Sequence, residues 1–104
     1  MTSKADLARY RRLQEIGCMA CRELGFNGIP GDIHHLVDKG NRKASGGNKA
    51  TIVLCPYHHR GAGWVSGGGP SLAHGSKPFN AAFGSQRELL AKANKLIDTI
   101  GKRL

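Results

Sequence analysis

A chain of 104 residues with 16 Lys and Arg against 7 Asp and Glu, net charge +9, has room for one modest core and favours a polyanionic partner, nucleic acid first. Hydrophobic residues make up only 39% and aromatics 6%, so apolar burial leaves the core thin and a structural metal would supply stability that burial does not. No run of about 18 apolar residues is present to span a membrane. The start, Met-Thr-Ser-Lys-Ala-Asp, has no apolar signal segment, so the expected location is the cytoplasm, where disulfides are rare. The bland alternative for the charge is solubility alone.

In chain order, Ser3 caps an expected helix running to Ile16, with Leu7, Tyr10, Leu13 and Ile16 at helical spacing and Arg9, Arg11 and Arg12 turned mostly outward. Gly17 suits its stop, and Cys18-Met19-Ala20-Cys21 follows as a metal knuckle. Residues 25–31 are turn-rich. Asp32 to Val37 is a short strand, and Lys39 to Asn48 a flexible basic loop. Thr51-Ile52-Val53-Leu54 is a β-branched strand that closes a hairpin with the first. Pro56 stands at the first position of a helix carrying His58, His59 and Arg60. A glycine-rich loop holds Trp64, either a packing anchor or a base-stacking residue. Ser76 caps a short helix through Phe79 and Phe83, ended by Gly84. The last helix spans about 85–100, with a Ser85/Glu88 capping box, an apolar stripe of Leu89, Leu90, Ala93, Leu96, Ile97 and Ile100, and Gly101 as a stop.

All five histidines and all three cysteines fall into metal-site patterns. Cys-x-x-Cys at 18 and 21 and Cys-x-x-His at 55 and 58 are paired knuckles, and tetrahedral zinc takes two ligands from each. Cys18, Cys21, Cys55 and His58 are therefore expected to form a closed structural zinc site. Buried, unliganded cysteines are the competing reading, and matched spacing argues against it. A redox Cys-x-x-Cys lacks its strand–helix setting.

The second pattern is His34, His35, Asn48 and His59: a His-His pair on a strand, a basic loop with an asparagine, a second strand, then a helix histidine. Neighbouring side chains on a strand face opposite ways, so one of His34 and His35 suits a metal and the other a reacting phosphate. An asparagine after Gly-Gly, as Asn48 is, is also ordinary turn chemistry and Asn41 is its rival, while Asp32 is either a ligand or a turn residue beside the ligands.

This stretch resembles the His-Asn-His (HNH) nucleases, whose ββα-metal motif is a hairpin followed by a helix. The longer pattern, Ile33-His34-His35-Leu36, then Thr51 to Gly61, then Leu72-Ala73-His74-Gly75, resembles the phage recombination enhancement function (Ref) family of RecA-dependent HNH nucleases. The resemblance implies His34 and His59 as ligands of a catalytic divalent ion, His74 as the third, His35 as general base and Asn48 as the organising asparagine. It implies an α+β fold: a small zinc-stabilised ββα-metal domain at about 32–61 with flanking N- and C-terminal helices, residues 1–104 forming one nuclease domain. It also implies Mg2+ or Mn2+ at the catalytic site, zinc being able to replace them. DNA is the expected partner, a RecA filament a further one, and a phage or prophage the source.

Lys39, Arg42, Lys43, Lys49 and Arg60 are the expected phosphate contacts. Backbone contacts of this kind position without reading bases, so low sequence specificity and steep salt dependence follow. The expected function is a metal-dependent DNA endonuclease. The alternatives are a non-catalytic zinc module that binds nucleic acid or a recombination protein, and an RNA-directed nuclease.

Overall fold

The Ser3 hydroxyl accepts a hydrogen bond from the Asp6 backbone N–H at 3.1 Å, and the Asp6 carboxylate accepts one from the Ser3 N–H at 3.2 Å. This reciprocal cap satisfies two donors that a helix start leaves open. It opens α1, Lys4–Ile16. The computed structural model describes residues 3–63, 65 and 67–103, with side chains through residue 100. Trp64, for which packing and stacking roles were both open, lies outside the described residues. The helix stops at Gly17, whose φ of 81° and approach to the backbone of residues 28 and 29 (2.6 Å from a Cβ to Ile29 N) admit only glycine.

After α1 come α2 (Met19–Glu23), the strand β1 (Asp32–His35), a single 3-10 turn at Gly47–Lys49, β2 (Thr51–Leu54) and α3 (Pro56–Arg60). A second 3-10 turn at Leu72–His74, α4 (Ser76–Phe83) and α5 (Gln86–Arg103) complete the order. The architecture is α+β: one two-stranded antiparallel sheet among helices. Asp32 pairs with Leu54, Ile33 with Val53, His34 with Ile52 and His35 with Thr51. Every residue of β2 is buried, while β1 is half-buried throughout and so can present side chains to solvent.

One core joins these elements. Leu13 and Ile16 from α1, Met19 from α2, Ile52 and Leu54 from β2, Phe79 and Phe83 from α4, and Leu89, Ala93 and Ile97 from α5 are all buried in it. Each large apolar side chain taken fully out of water contributes roughly 1.5–3 kcal/mol. Among the described residues no helix is long and apolar enough to cross a membrane.

Several local expectations are corrected. Leu7 is 47% exposed, so the inward row of α1 begins only at Tyr10. Arg9 turns inward: its guanidinium donates to Thr51 Oγ1, Thr51 O and Asn94 Oδ1 at 2.9, 2.7 and 2.8 Å. β1 ends at His35, two residues earlier than expected, because Val37 already faces water. The basic loop is held from within, since buried Ser45 donates to Asn41 O at 2.6 Å and accepts from Lys39 N–H at 3.0 Å. Gly75, not Ser76, is the N-cap of α4. α5 continues past Gly101, whose expected stop is overridden by one more turn to Arg103. The Ser85/Glu88 box forms as read, with bonds of 3.0 and 3.3 Å.

Candidate functional site

The two knuckles meet in the core. His58 Nδ1 lies 3.3 Å from Cys55 Sγ, 3.4 Å from Cys21 Sγ and 3.7 Å from Cys18 Sγ, and the sulfurs of Cys21 and Cys55 are 3.8 Å apart. Zinc–sulfur and zinc–nitrogen bonds at tetrahedral angles place donors about 3.4–3.8 Å from one another, so this cluster has the size of a zinc site. Local structure builds it. Cys18 and Cys55 are each the N-cap of a short helix, and their sulfurs accept from the backbone N–H three residues on, at Cys21 and His58. The His58 Nε2–H donates to the Gly68 carbonyl at 2.8 Å, which leaves the Nδ1 lone pair facing the three sulfurs. Burial, and then the neighbouring sulfurs, push the Cys21 thiol far above its ordinary value; burial does the same to Cys18. A divalent cation would offset both effects. Burial also holds His58 below the ordinary imidazole value. The four residues can hold a metal ion such as zinc.

Strand alternation sorts the second group. Asp32 and His34 share one face of β1, and His35 takes the other. On the first face the rings of His34 and His59 stand edge to face with centroids 5.0 Å apart. The His34 Nε2–H donates to Gln86 Oε1 at 2.7 Å, because an amide oxygen only accepts; Nδ1 then keeps its lone pair. Burial, opposed by the Gln86 bond and reinforced by His59, lowers the His34 pKa, so the ring is neutral, the form that ligates. His59 Nδ1 is buried and makes no hydrogen bond, although Asp32 Oδ2 stands 3.5 Å away. Asp32 also pairs with Arg60 at 3.3 Å. The carboxylate is thus inside the strand beside the histidines rather than in a turn ahead of it.

His74 is exposed and sits against α3, its Nε2 about where a side chain on Gly61 would reach (3.5 Å from a Cβ). Its Nδ1 accepts from the Ser71 N–H at 3.4 Å and lies 3.2 Å from Ser71 Oγ, which places the proton of the neutral ring on Nε2. Ligation through Nε2 requires the ring to give up the Ser71 N–H bond and move that proton to Nδ1. Among the described residues, only the Cys18, Cys21, Cys55 and His58 cluster brings three or more such donors within 4.8 Å of one another. His34 and His59 are ring neighbours and His74 lies beside the end of α3, but the three do not form such a group.

On the opposite face His35 Nε2 lies 2.9 Å from Asn48 Oδ1, and Asn48 Nδ2 donates to Asp6 Oδ2 at 3.1 Å. The Tyr10 ring stands edge-on to His35 at 6.5 Å. Asn41, the other asparagine of the loop, instead accepts from the Ala44 N–H at 2.8 Å and shapes the turn. Lys39, Arg42, Lys43 and Lys49 are exposed around this loop. Arg60 is exposed but engaged with Asp32, and Lys92 on α5 pairs with Glu23 at 2.6 Å.

Sequence reading missed Gln86, Asp6 and the Gly68 carbonyl. Gln86 reaches His34 and Asp6 reaches Asn48 from distant parts of the chain, the Gly68 carbonyl reaches His58 across a loop, and Asp6 had only one visible signal, its position three residues after a capping serine. Among curated proteins none matches the chain. A family model described as "Recombination enhancement, RecA-dependent nuclease" matches residues 4–98, a span that takes in α1, both strands, every cysteine and histidine, and most of α5. The chain therefore belongs to the recombination enhancement, RecA-dependent nuclease family.

Proposed function

We propose that residues 1–104 form one HNH endonuclease domain of ββα-metal type, which hydrolyses phosphodiester bonds in DNA, with RecA-coated DNA as a substrate. The observation that carries this reading is the pair of rings on opposite faces of one strand. His34 gives its Nε2–H to Gln86 and keeps the Nδ1 lone pair, and His35 faces Asn48 Oδ1.

Cys18, Cys21, Cys55 and His58 hold a structural zinc that ties α2 to α3. His34, His59 and His74 hold a catalytic divalent ion, magnesium or manganese, with the Asp32 carboxylate beside them. The orphaned Nδ1 of His59 and the free Nδ1 of His34 are what fit such a cation. When bound, that ion supplies positive charge to the scissile phosphate and the leaving oxygen.

The rest falls to the chain. With Nε2–H given to Asn48, His35 offers Nδ1 as the base that takes a proton from water, a step typically worth about 10²–10⁴-fold. Lys39, Arg42, Lys43 and Lys49 hold phosphates flanking the scissile bond, with Arg60 joining them when it releases Asp32. Contacts of this kind to the backbone carry no sequence information, which is the reason low sequence specificity is expected.

Assaying single-stranded, duplex and RecA-coated DNA side by side with magnesium or manganese tests the reading. Metal-dependent cleavage of at least one substrate is expected. Tight binding without any cleavage would replace this reading with that of a zinc module. For such a module the orientation of His35 by Asn48 would serve no purpose.

A further inference from the structure

The Asp6 carboxylate closes its helix cap and, with the same Oδ2, accepts the Asn48 side-chain N–H. A carboxylate accepts and cannot donate, so it fixes which end of the Asn48 amide faces it: Nδ2 must point to Asp6 and Oδ1 away. Oδ1 then faces His35 Nε2, and because that oxygen only accepts, Nε2 must carry the ring proton. We infer that Asp6 is a positioning residue: acting through Asn48, it locks His35 in the Nε2–H tautomer with the Nδ1 lone pair free. The inference rests on the reading of His35 as the base and extends the site to the first turn of α1.

Other contacts of the same helix favour this lock. Tyr10, one turn after Asp6, sets its ring against His35. Arg9 grips Thr51, the cross-strand partner of His35, and Thr51 Oγ1 donates to the Asn48 carbonyl at 2.9 Å. One face of α1 therefore touches the ring, the amide that orients it and the strand opposite. The Asn48 bond is also the largest cause holding the Asp6 carboxyl below its ordinary value, followed by the Ser3 N–H, so the carboxylate is the form that does this work. An amide whose two ends are not distinguished could rotate and offer Nδ2 to His35, which would force the proton onto Nδ1 and remove the base.

The test uses zinc-loaded full-length protein labelled with 15N. Long-range proton–nitrogen spectra of the histidine rings at alkaline pH report the tautomer directly, with the His35 signal identified by its loss in His35→Gln. Wild type is expected to show His35 as Nε2–H alone. Asp6→Ala is expected to give a mixture of tautomers and, on cleavable DNA, a kcat about 10–100-fold lower with KM little changed. Asp6→Asn, whose amide can offer Asn48 either an acceptor or a donor, should restore both only in part. Ser3→Ala breaks the cap but leaves Asp6 on Asn48, so it should lower the melting temperature while keeping the wild-type tautomer.

A single Nε2–H form in Asp6→Ala would overturn the inference, and so would a Ser3→Ala protein as mixed as Asp6→Ala. If Asp6→Ala does not fold, wild type decides: both tautomers populated there is equally fatal. Should no variant, nor wild type, cut any DNA, the ring spectra still decide the role of Asp6, and only the nuclease reading falls.

Discussion

His34 and Gln86 are 52 residues apart in sequence and 2.7 Å apart in space, so the start of α5 fixes the ring on β1. That bond holds the proton on Nε2 and leaves Nδ1 to meet a cation. Replacing Gln86 by Ala removes the restraint without touching a ligand. Affinity for Mn2+ at the catalytic site, followed by calorimetry or by loss of the free-ion resonance signal, should fall about 10–100-fold while bound zinc is unchanged. Undiminished affinity would mean that His34 is not a ligand or that Gln86 does not orient it.

The buried thiols predict proton release. Burial and neighbouring sulfurs raise Cys21, and burial raises Cys18, above the ordinary thiol value of 9.0, so both are protonated at neutral pH without metal. Zinc binds thiolates, so uptake near pH 7 should release at least one proton from each of these residues. A weakly buffered titration with an indicator dye reads this directly. Zinc entering with no proton release would mean that the sulfurs are not its ligands. Cys55→Ala should bind zinc poorly and melt at a much lower temperature, since the three remaining buried groups then lose their common partner.

Arg9 supplies a purely structural prediction. Its fork ties α1 to β2 and α5 through three hydrogen bonds, and two of them go to Thr51, a fully buried residue. Arg9→Ala should cost about 2 kcal/mol in urea unfolding, the scale of hydrogen bonds made by a charged group. Arg9→Lys should recover only part, because a point charge cannot reproduce the fork. A loss within about 0.5 kcal/mol would show that the contacts form only on the surface.

Exposed Lys39, Arg42, Lys43 and Lys49 predict how binding responds to salt. If each neutralises one phosphate, replacing all four by alanine should flatten the slope of log affinity against log salt by about 3–4 on duplex DNA. Fluorescence anisotropy at several salt concentrations, in a His35→Ala background so that DNA survives, measures it. An unchanged slope would move the DNA to another face.

How far the sequence foretold this arrangement depended on distance along the chain. The cluster of three cysteines and His58 was legible because each knuckle is local: Cys18 with Cys21, and Cys55 with His58, lie on single turns whose geometry their spacing dictates. The split of His34 and His35 onto two faces followed from strand alternation. The residues that orient those rings were not legible, because Asp6 and Gln86 also have ordinary local roles at helix starts and only tertiary packing turns them toward the hairpin. Arg9 misled for a related reason, since charge on a helix usually means solvent. Gly101 misled because one glycine lowers helix propensity without forbidding a further turn.

His35 is the group proposed to activate water. The most direct measurement compares wild type with His35→Ala on one cleavable DNA, with magnesium, at matched zinc content, melting temperature and DNA affinity. Wild type should cut, and the variant should lose at least about a hundredfold in rate with binding intact. A His35→Ala protein that cuts at the wild-type rate would contradict the assignment and, with it, the purpose ascribed to Asn48 and Asp6.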